Sequence, residues 1–272
     1  KEINIKTIII SKEGESINAK TEISMAIGSL CGIMIYIFIF MYGTMVMKGV
    51  IEEKTNRIVE IIISSIKPFQ LMMGKIIGVA LVGFTQFILW LLLTLLLAGF
   101  AEISLFDSNQ ISSEVNQVEG SILISKIIEV TQGIDLIKIF FSFIAYFLGG
   151  YLLYSSLFAS IGSAVDNESD TQQFILPITI PLIISFILIQ PIIENPEGSL
   201  AFWMSIFPLT SPVIMMVRLP FGVENWELII SISILVVSFI FSTWIASKIY
   251  KIGILMYGKK ISYKDLYKWT SY

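Results

Sequence analysis

The stretch Ile76–Phe100, IIGVALVGFTQFILWLLLTLLLAGF, decides the fold class of this chain. Sixteen of its residues are Leu, Ile, Val or Phe, and none is charged. Each of those side chains favours insertion into a bilayer by about 0.3 to 0.6 kcal/mol near the centre of a helix. A helix of about 20 apolar residues crosses the roughly 30 Å of hydrocarbon in a bilayer. The stretch is therefore predicted to be a membrane-spanning helix.

Four other uncharged stretches have the same character: Ile23–Met47, Ile139–Val165, Phe174–Ile193 and Leu228–Ser247. Of the 272 residues, 55% are hydrophobic and only 14% are charged. Soluble domains carry about 25% charged residues. The sequence predicts an all-α integral membrane protein with five spans in a transmembrane domain over 23–272, which ends in the tail 248–272.

A sixth uncharged stretch, Ser199–Val217, differs because it contains Pro208 and Pro212. Two prolines four residues apart remove two backbone donors from one turn, which is costly in lipid. We therefore expect a partial, re-entrant or surface-lying element there rather than a sixth span.

The distribution of Lys and Arg predicts the orientation of the spans. Segment 48–75 holds five of these residues and the tail holds six, whereas 101–138 holds two and 194–227 holds one. Cytoplasmic loops carry the excess of positive charge. With five spans, segment 48–75 and the C-terminus are predicted to lie on the cytoplasmic side of the cell (plasma or inner) membrane. Residues 1–22 then lie outside. The acidic turn 164–173 then also lies inside.

Residues 1–22 are polar, and their first six, KEINIK, alternate in character. This alternation is typical of a strand, so we expect the end of an extracytoplasmic strand or domain. The sequence begins with Lys1. We expect the natural protein to continue before it, with one more span, which would give six.

The residue types that are absent exclude several functions. The chain has no His, a single Cys and no P-loop motif. Without them it is not expected to hydrolyse ATP or to hold a cofactor or metal ion itself. The five stretches contain no charged residue, which disfavours a proton- or ion-coupled transporter. The net charge of −3 gives no indication of nucleic-acid binding.

Three segments outside the spans are candidates for mechanism. Ile51–Ser65, IEEKTNRIVEIIISS, has apolar residues at helical spacing and is predicted to be an amphipathic helix on the cytoplasmic face. Such a helix either anchors a loop in the lipid surface or binds a protein. A lipid-surface helix usually carries a basic polar face, whereas this one mixes both signs, which favours a protein partner.

The other two segments are less specific. The turn 162–173 is a solvated hairpin tip or a second docking point, and its spacing alone favours the tip. The segment Phe207–Gly222, FPLTSPVIMMVRLPFG, contains three prolines and Arg218 near the outer surface. It is a structural cap or an outer gate.

Four stretches in order resemble type-2 ABC exporter permeases of the sodium-extrusion (NatB-like) group. They are 51–86, IEEKTNRIVEIIISSIKPFQLMMGKIIGVALVGFTQ, then GSAVDNESDTQQFILPI at 162–178, FPLTSPVIMMVRLPFG at 207–222 and KIYKIGILMYGKKISYKDLYKW at 248–269. The resemblance covers about residues 23 to 269. It is specific for the family but not for the substrate.

The resemblance implies a six-helix permease, with a large external domain between the first two helices, that works as a dimer in membrane lipid. A separate cytosolic ABC ATPase would bind ATP and Mg²⁺, and its closure would tilt the spans. The implied ATPase-coupling residues are Glu52, Glu53, Arg57, Glu60, Asp166, Glu168 and Asp170. The residues assigned to an outer gate are Pro208, Ser211, Pro212 and Arg218.

Sodium is the substrate that the resemblance suggests, with a lipid, peptide or drug as alternatives. Two other classes of function remain. A membrane-embedded hydrolase or transferase is disfavoured because the spans lack His, Asp and Glu. A non-transporting membrane scaffold would function without any ATPase.

Overall fold

A computed structural model describes residues 2–107, 135–258 and 261–271, and all regular structure in these ranges is helical. The helices are α1 Glu2–Thr55, α2 Ile58–Ile63, α3 Pro68–Asp107, α4 Leu136–Ala164, α5 Gln172–Ile187, α6 Ile189–Glu194, α7 Ser199–Ile206, α8 Ser211–Arg218, α9 Asn225–Gly253 and α10 Tyr263–Thr270. Two short 3₁₀ helices, Glu168–Thr171 and Leu219–Phe221, lead into α5 and follow α8.

Five helical segments of the described ranges are long and apolar enough to cross a membrane. They are Thr21–Thr55, Pro68–Thr94, Leu136–Ala164, Glu168–Glu194 and Asn225–Gly253. The predicted all-α fold with five spanning helices is confirmed. The helices extend beyond the uncharged stretches because helical hydrogen bonding continues into the polar residues that flank the lipid.

One end of the bundle is defined by contacts of the α1 C-terminus. There Lys54 contacts Asp166 in the turn between α4 and α5, and Asp166 also contacts Gly258 after α9. We call this the lysine-rich end, and it comprises residues 48–75, 164–173, 248–258 and 261–271.

The opposite end comprises residues 194–227 and the parts of α1 and α4 that touch them. The Ser24 hydroxyl donates to the Pro220 carbonyl oxygen at 3.2 Å. The Lys138 ammonium donates to the Val223 carbonyl oxygen at 2.7 Å. The N-terminal part of the α1 span and the start of α4 therefore lie together, far from Lys54.

Helix α4 lies at the centre and packs against α1 on one side and α9 on the other. Small residues bring these helices together: the Ser156 and Ser242 hydroxyl oxygens are 3.0 Å apart between α4 and α9. A Cβ added at Gly162 would lie 2.7 Å from the Met47 carbonyl oxygen of α1. Lipid tails are as apolar as Leu, so close packing of small residues provides much of the association between helices in a membrane.

Tyrosine hydroxyls of α4 reach backbone oxygens in two other elements. Tyr151 donates to the Ile76 carbonyl oxygen of α3, and Tyr154 donates to the Leu209 carbonyl oxygen before α8, each at 2.7 Å. Both side chains are fully buried. Because a buried hydroxyl without a partner is costly, these bonds fix how α3 and the α7–α8 turn sit on α4.

Helix α3 lies at the periphery. Large apolar side chains along it, such as Leu81, Leu96 and Phe100, are more than half exposed. This surface suits contact with lipid or with another membrane protein.

The amphipathic helix predicted over 51–65 does not form as one helix. Its first five residues are the C-terminal end of α1, where Ile51 and Lys54 are buried. Residues 58–63 form the separate short helix α2. The break is at Arg57, whose φ of 56° is left-handed. Thr55 and Asn56 are poor helix formers, so the chain turns here once the buried stripe of α1 has ended.

The strand expected near residues 1–22 is also wrong for the described part of that segment. Residues 2–22 form the N-terminal part of helix α1. The alternating pattern covered only six residues, which is too short to separate a strand from a helix.

The stretch Ser199–Val217 does not span the membrane as one helix. It forms α7 and α8, joined by a turn at 207–210. Pro208 lies in this turn, and Pro212 lies in the first turn of α8. Backbone N–H groups in the first turn of a helix have no partner within the helix, so proline costs no hydrogen bond there. The proline argument therefore correctly identified a broken element.

The packing of Gly162 gives a test of the α1–α4 contact. We expect Gly162→Ala to destabilise the protein by about 1 to 3 kcal/mol, because its Cβ would overlap backbone atoms of α1. Gly78→Ala in α3 is the matched control, since a Cβ there meets nothing within 4 Å. Thermal unfolding in detergent micelles compares the two. Equal effects would contradict the close α1–α4 approach.

Candidate functional site

The central residue of the lysine-rich end is Lys54, near the C-terminus of α1. Its side chain is only 1% exposed, and its Nζ lies 2.9 Å from Oδ1 of Asp166. The same Nζ donates to the Ser163 carbonyl oxygen at 2.8 Å and lies 5.6 Å from the centre of the Tyr257 ring. The ammonium therefore joins the end of α1 to the end of α4 and to the segment after α9.

Asp166 completes this three-way contact. Its Oδ2 accepts the Gly258 N–H at 2.6 Å, and its backbone carbonyl accepts the Thr55 hydroxyl at 3.2 Å. Gly258 has a φ of 72°, a left-handed conformation that glycine adopts without strain. We call Lys54, Asp166 and Gly258 the three-way junction.

Two further ion pairs flank the junction. Lys75 of α3 lies 2.7 Å from Glu53 and donates to the Gly49 carbonyl oxygen at 2.5 Å, with both charged side chains mostly buried. Lys48 lies 2.7 Å from Glu168, but both side chains are more than half exposed. Such an exposed pair contributes about 1 kcal/mol or less. The first pair therefore holds α3 against α1, and the second adds little.

An apolar surface follows the junction along the chain. Ile58, Ile61, Ile66 and Phe69 are 44%, 75%, 40% and 49% exposed. We call these four residues the apolar patch. Val59 of α2 is fully buried, so it anchors α2 to the bundle and leaves Ile58 and Ile61 outward. Charged Arg57 and Glu60 border the patch and are exposed.

The structure places the predicted coupling residues in two groups. Glu52, Arg57, Glu60 and Asp170 are exposed and available to a partner. Glu53, Asp166 and Glu168 each form an ion pair within the chain. The first group is a surface, whereas Glu53 and Asp166 hold the fold together.

Tyr257 shows that part of the predicted set lies together. Burial, followed by the charge of Glu60, raises the pKa of its hydroxyl, with smaller influences from Arg57 and Asp166. Tyr257 is therefore within electrostatic range of charges from both the α2 region and the α4–α5 turn.

Sequence reasoning missed Lys54, Tyr257 and the apolar patch as functional candidates. A signal for Lys54 was present, because it lies four residues after Val50 and three after Ile51, on the apolar stripe of α1. A charged residue at such a position is buried only with a partner. The partner, Asp166, lies too far along the chain to be identified from spacing.

At the opposite end, Arg218 is held as tightly as Lys54. Its side chain is 5% exposed, and its Nη1 lies 2.9 Å from Oε2 of Glu227 and 2.6 Å from the Ser205 hydroxyl. Its Nε donates to the Pro196 carbonyl oxygen at 2.8 Å. A cavity of about 500 Å³ lies beside Arg218 and Glu227.

The other residues assigned to an outer gate are packed as a cap in this conformation. Ser211 and Pro212 are buried, Pro208 is partly buried, and Pro212 lies against Gly150 of α4. These residues are buried or partly buried within the α7–α8 element, and the gate remains a prediction.

The fold and the two charge-stabilised ends define a multi-span helical membrane protein. Residues 1–248 match the family model described as ABC-2 family transporter protein, and the chain belongs to this family as a permease component. The name indicates an ATP-binding-cassette system, whose ATPase is typically a separate protein.

Two curated relatives, both named as uncharacterized, match nearly the whole chain. YhaP of Bacillus subtilis is 30% identical over 93% of this chain and 57% of its own length. MJ1024 of Methanocaldococcus jannaschii is 28% identical over 98% of this chain and 58% of its own length. The chain thus spans somewhat more than half of these relatives. No solved structure matches it.

The three-way junction gives a direct stability test. We expect Lys54→Met to lower stability by about 2 to 3 kcal/mol, because Asp166 loses its charged partner and Ser163 its donor. Lys264→Met, at an exposed site on α10, is the matched control and should have little effect. Thermal unfolding in detergent micelles measures both.

A double-mutant cycle then assigns the effect to the pair. Asp166→Asn should cost clearly less in the Lys54→Met background than in the wild type, with a coupling of at least about 1 kcal/mol. Additive effects would show that Lys54 and Asp166 do not interact.

Proposed function

We propose that this chain is the membrane part of an ATP-driven exporter and that its lysine-rich end docks a cytosolic ABC ATPase. The apolar patch carries the proposal. Large apolar side chains that stand exposed at the polar end of a bundle, bordered by charges of both signs, are typical of a protein-binding surface.

The orientation follows from charge. The positive-inside rule places the lysine-rich end in the cytoplasm, where ATP is available. The acidic turn at 166–170 then faces the same side as the patch. Its Asp170 is exposed there, beside the paired Asp166 and Glu168.

The three-way junction supplies a way to transmit force. An ATPase that binds ATP and Mg²⁺ and closes would pull on α2 and the patch. Because Lys54 ties α1 to the α4–α5 turn and to Gly258 near the end of α9, these elements would move together. A tilt of packed helices as rigid bodies is a common form of such a transition. A second permease chain would complete the pathway.

The patch has one competing explanation, burial in the lipid surface. A lipid-bound helix usually presents a basic polar face. Around this patch, Glu60 accompanies Arg57 and Lys67, and all three are exposed. Mixed signs suit a protein with complementary charges better than an anionic membrane.

We expect Ile61→Glu to weaken co-purification with the ATPase by about tenfold or more, as for a central interface residue. Ile61 is 75% exposed, so the change should leave the fold intact. Ile137→Glu is the matched control, because Ile137 is 71% exposed at the opposite end. Quantitative pull-down of the full-length permease with its ATPase measures the effect.

Two outcomes would contradict the docking proposal. One is unchanged ATPase binding and ATPase activity for Ile61→Glu. The other is equal loss in the Ile137→Glu control, which would indicate a general defect. Detection of both variants in the membrane fraction confirms that insertion is normal.

We propose sodium as the substrate because the sequence resembles permeases of the sodium-extrusion group. Within the described ranges, no group of three or more Asp, Glu, His or Cys side chains is placed to hold a metal ion. A sodium path would have to use neutral oxygens, such as those of Tyr42 and Gln86, which hydrogen-bond at 2.8 Å between α1 and α3. Lipids, peptides and drugs are the alternative substrates.

Flux measurements on the reconstituted transporter test the substrate. If sodium is exported, ATP should drive sodium movement across vesicle membranes, and Gln86→Leu should reduce it more than it reduces ATPase docking. ATP hydrolysis without any sodium movement would exclude sodium as the substrate and would not affect the docking proposal.

A further inference from the structure

A second groove at the lysine-rich end lies between the start of α3 and the end of α9. It has a volume of about 480 Å³ and is lined by Lys67, Pro68 and Phe69 on one side and Ser247, Lys248, Lys251 and Ile252 on the other. Three of the seven lining residues are lysines, and none of the seven is acidic. The groove is therefore strongly positive, and its remaining lining is largely apolar.

The geometry around Lys248 places this groove at a membrane surface. Its Nζ lies 4.4 Å from the centre of the Trp244 ring and donates to the Thr270 carbonyl oxygen at 2.9 Å. The Trp244 side chain is 53% exposed. Trp beside Lys at the end of a spanning helix is typical of the boundary between hydrocarbon and head groups.

An exposed apolar face of α9 continues from the groove into the membrane-spanning part. Val237, Ile240 and Phe241 are 66%, 60% and 60% exposed, and the Phe241 ring stacks on Trp244. Acyl chains can lie along this face while a head group occupies the groove. A soluble protein partner would cover the lysines but would not reach this face.

The N-terminus of α3 adds a further positive contribution. This long helix begins at Pro68, which lines the groove, so the positive end of its dipole lies at the groove wall. Lys67 and Lys251 are exposed, so their ammonium groups are available to a ligand.

We propose that this groove binds the phosphate head group of an anionic phospholipid, with its acyl chains on the exposed face of α9. Basic pockets between spanning helices on the cytoplasmic side are suited to such head groups. Lys67 and Lys251 would contact the phosphate, and Lys248 would position Trp244. Phe69 belongs to both the groove and the apolar patch, so the groove adjoins the proposed ATPase-docking surface.

Brominated lipids test this proposal, because bromine quenches a nearby Trp. The full-length permease with its ATPase is placed in nanodiscs of phosphatidylcholine with a minor fraction of phosphatidylglycerol, either lipid carrying the bromine. The Trp244 signal is the difference between the wild type and Trp244→Phe. We expect brominated phosphatidylglycerol to quench it well beyond its fraction of the lipid.

The double variant Lys67→Gln, Lys251→Gln should reduce the preference for phosphatidylglycerol by about fivefold for each lysine. Lys264→Gln, Lys268→Gln is the matched control, because it removes the same charge from exposed lysines of α10. Its preference should match the wild type.

Three results would overturn the proposal. Quenching by each brominated lipid in proportion to its fraction of the nanodisc would show that no anionic site exists. An equal loss in the control would reduce the effect to general surface charge. Quenching in the isolated permease that vanishes when the ATPase is bound would assign the groove to the ATPase.

Discussion

The buried ion pair between Lys54 and Asp166 is the constraint on which the lysine-rich end depends. A lysine that is 1% exposed keeps its charge only if its donors are used, and here an aspartate and a backbone carbonyl use them. One acceptor lies in the last turn of α4 and the other in the turn after it, and Asp166 also accepts the Gly258 N–H. The ion pair therefore fixes the relative position of three segments. The exposed α2 is attached directly to this fixed point.

The opposite end is also held by a buried cation in an ion pair. Arg218 donates hydrogen bonds to Glu227, Ser205 and Pro196 and so holds the α7–α8 element against the start of α9. Between the two ends, α4 meets its neighbours through small residues and tyrosine hydroxyls. The bundle is thus held by charge at its polar ends and by close packing in its interior, which suits helices that tilt as rigid bodies.

The long uncharged apolar stretches predicted the five spans well, because the bilayer imposes length and composition on every span. The prolines likewise predicted that Ser199–Val217 is broken. The helix over 51–65 was wrong, because periodicity does not show that Ile51 and Lys54 belong to the buried face of α1. Of the coupling residues, spacing could not separate exposed Glu52 from paired Glu53. That distinction depends on Lys75, which folding brings from α3.

The central claim is that α2, the α4–α5 turn and the α9 terminus move as one unit. Spin labels at Ser65, just after α2, and at Ser169, with Cys31 replaced, report the distance between α2 and the turn by pulsed electron paramagnetic resonance. In the full-length transporter we predict one narrow distance distribution that ATP leaves unchanged and that Lys54→Met broadens. A distance that shifts when ATP is bound in the wild type would contradict the claim.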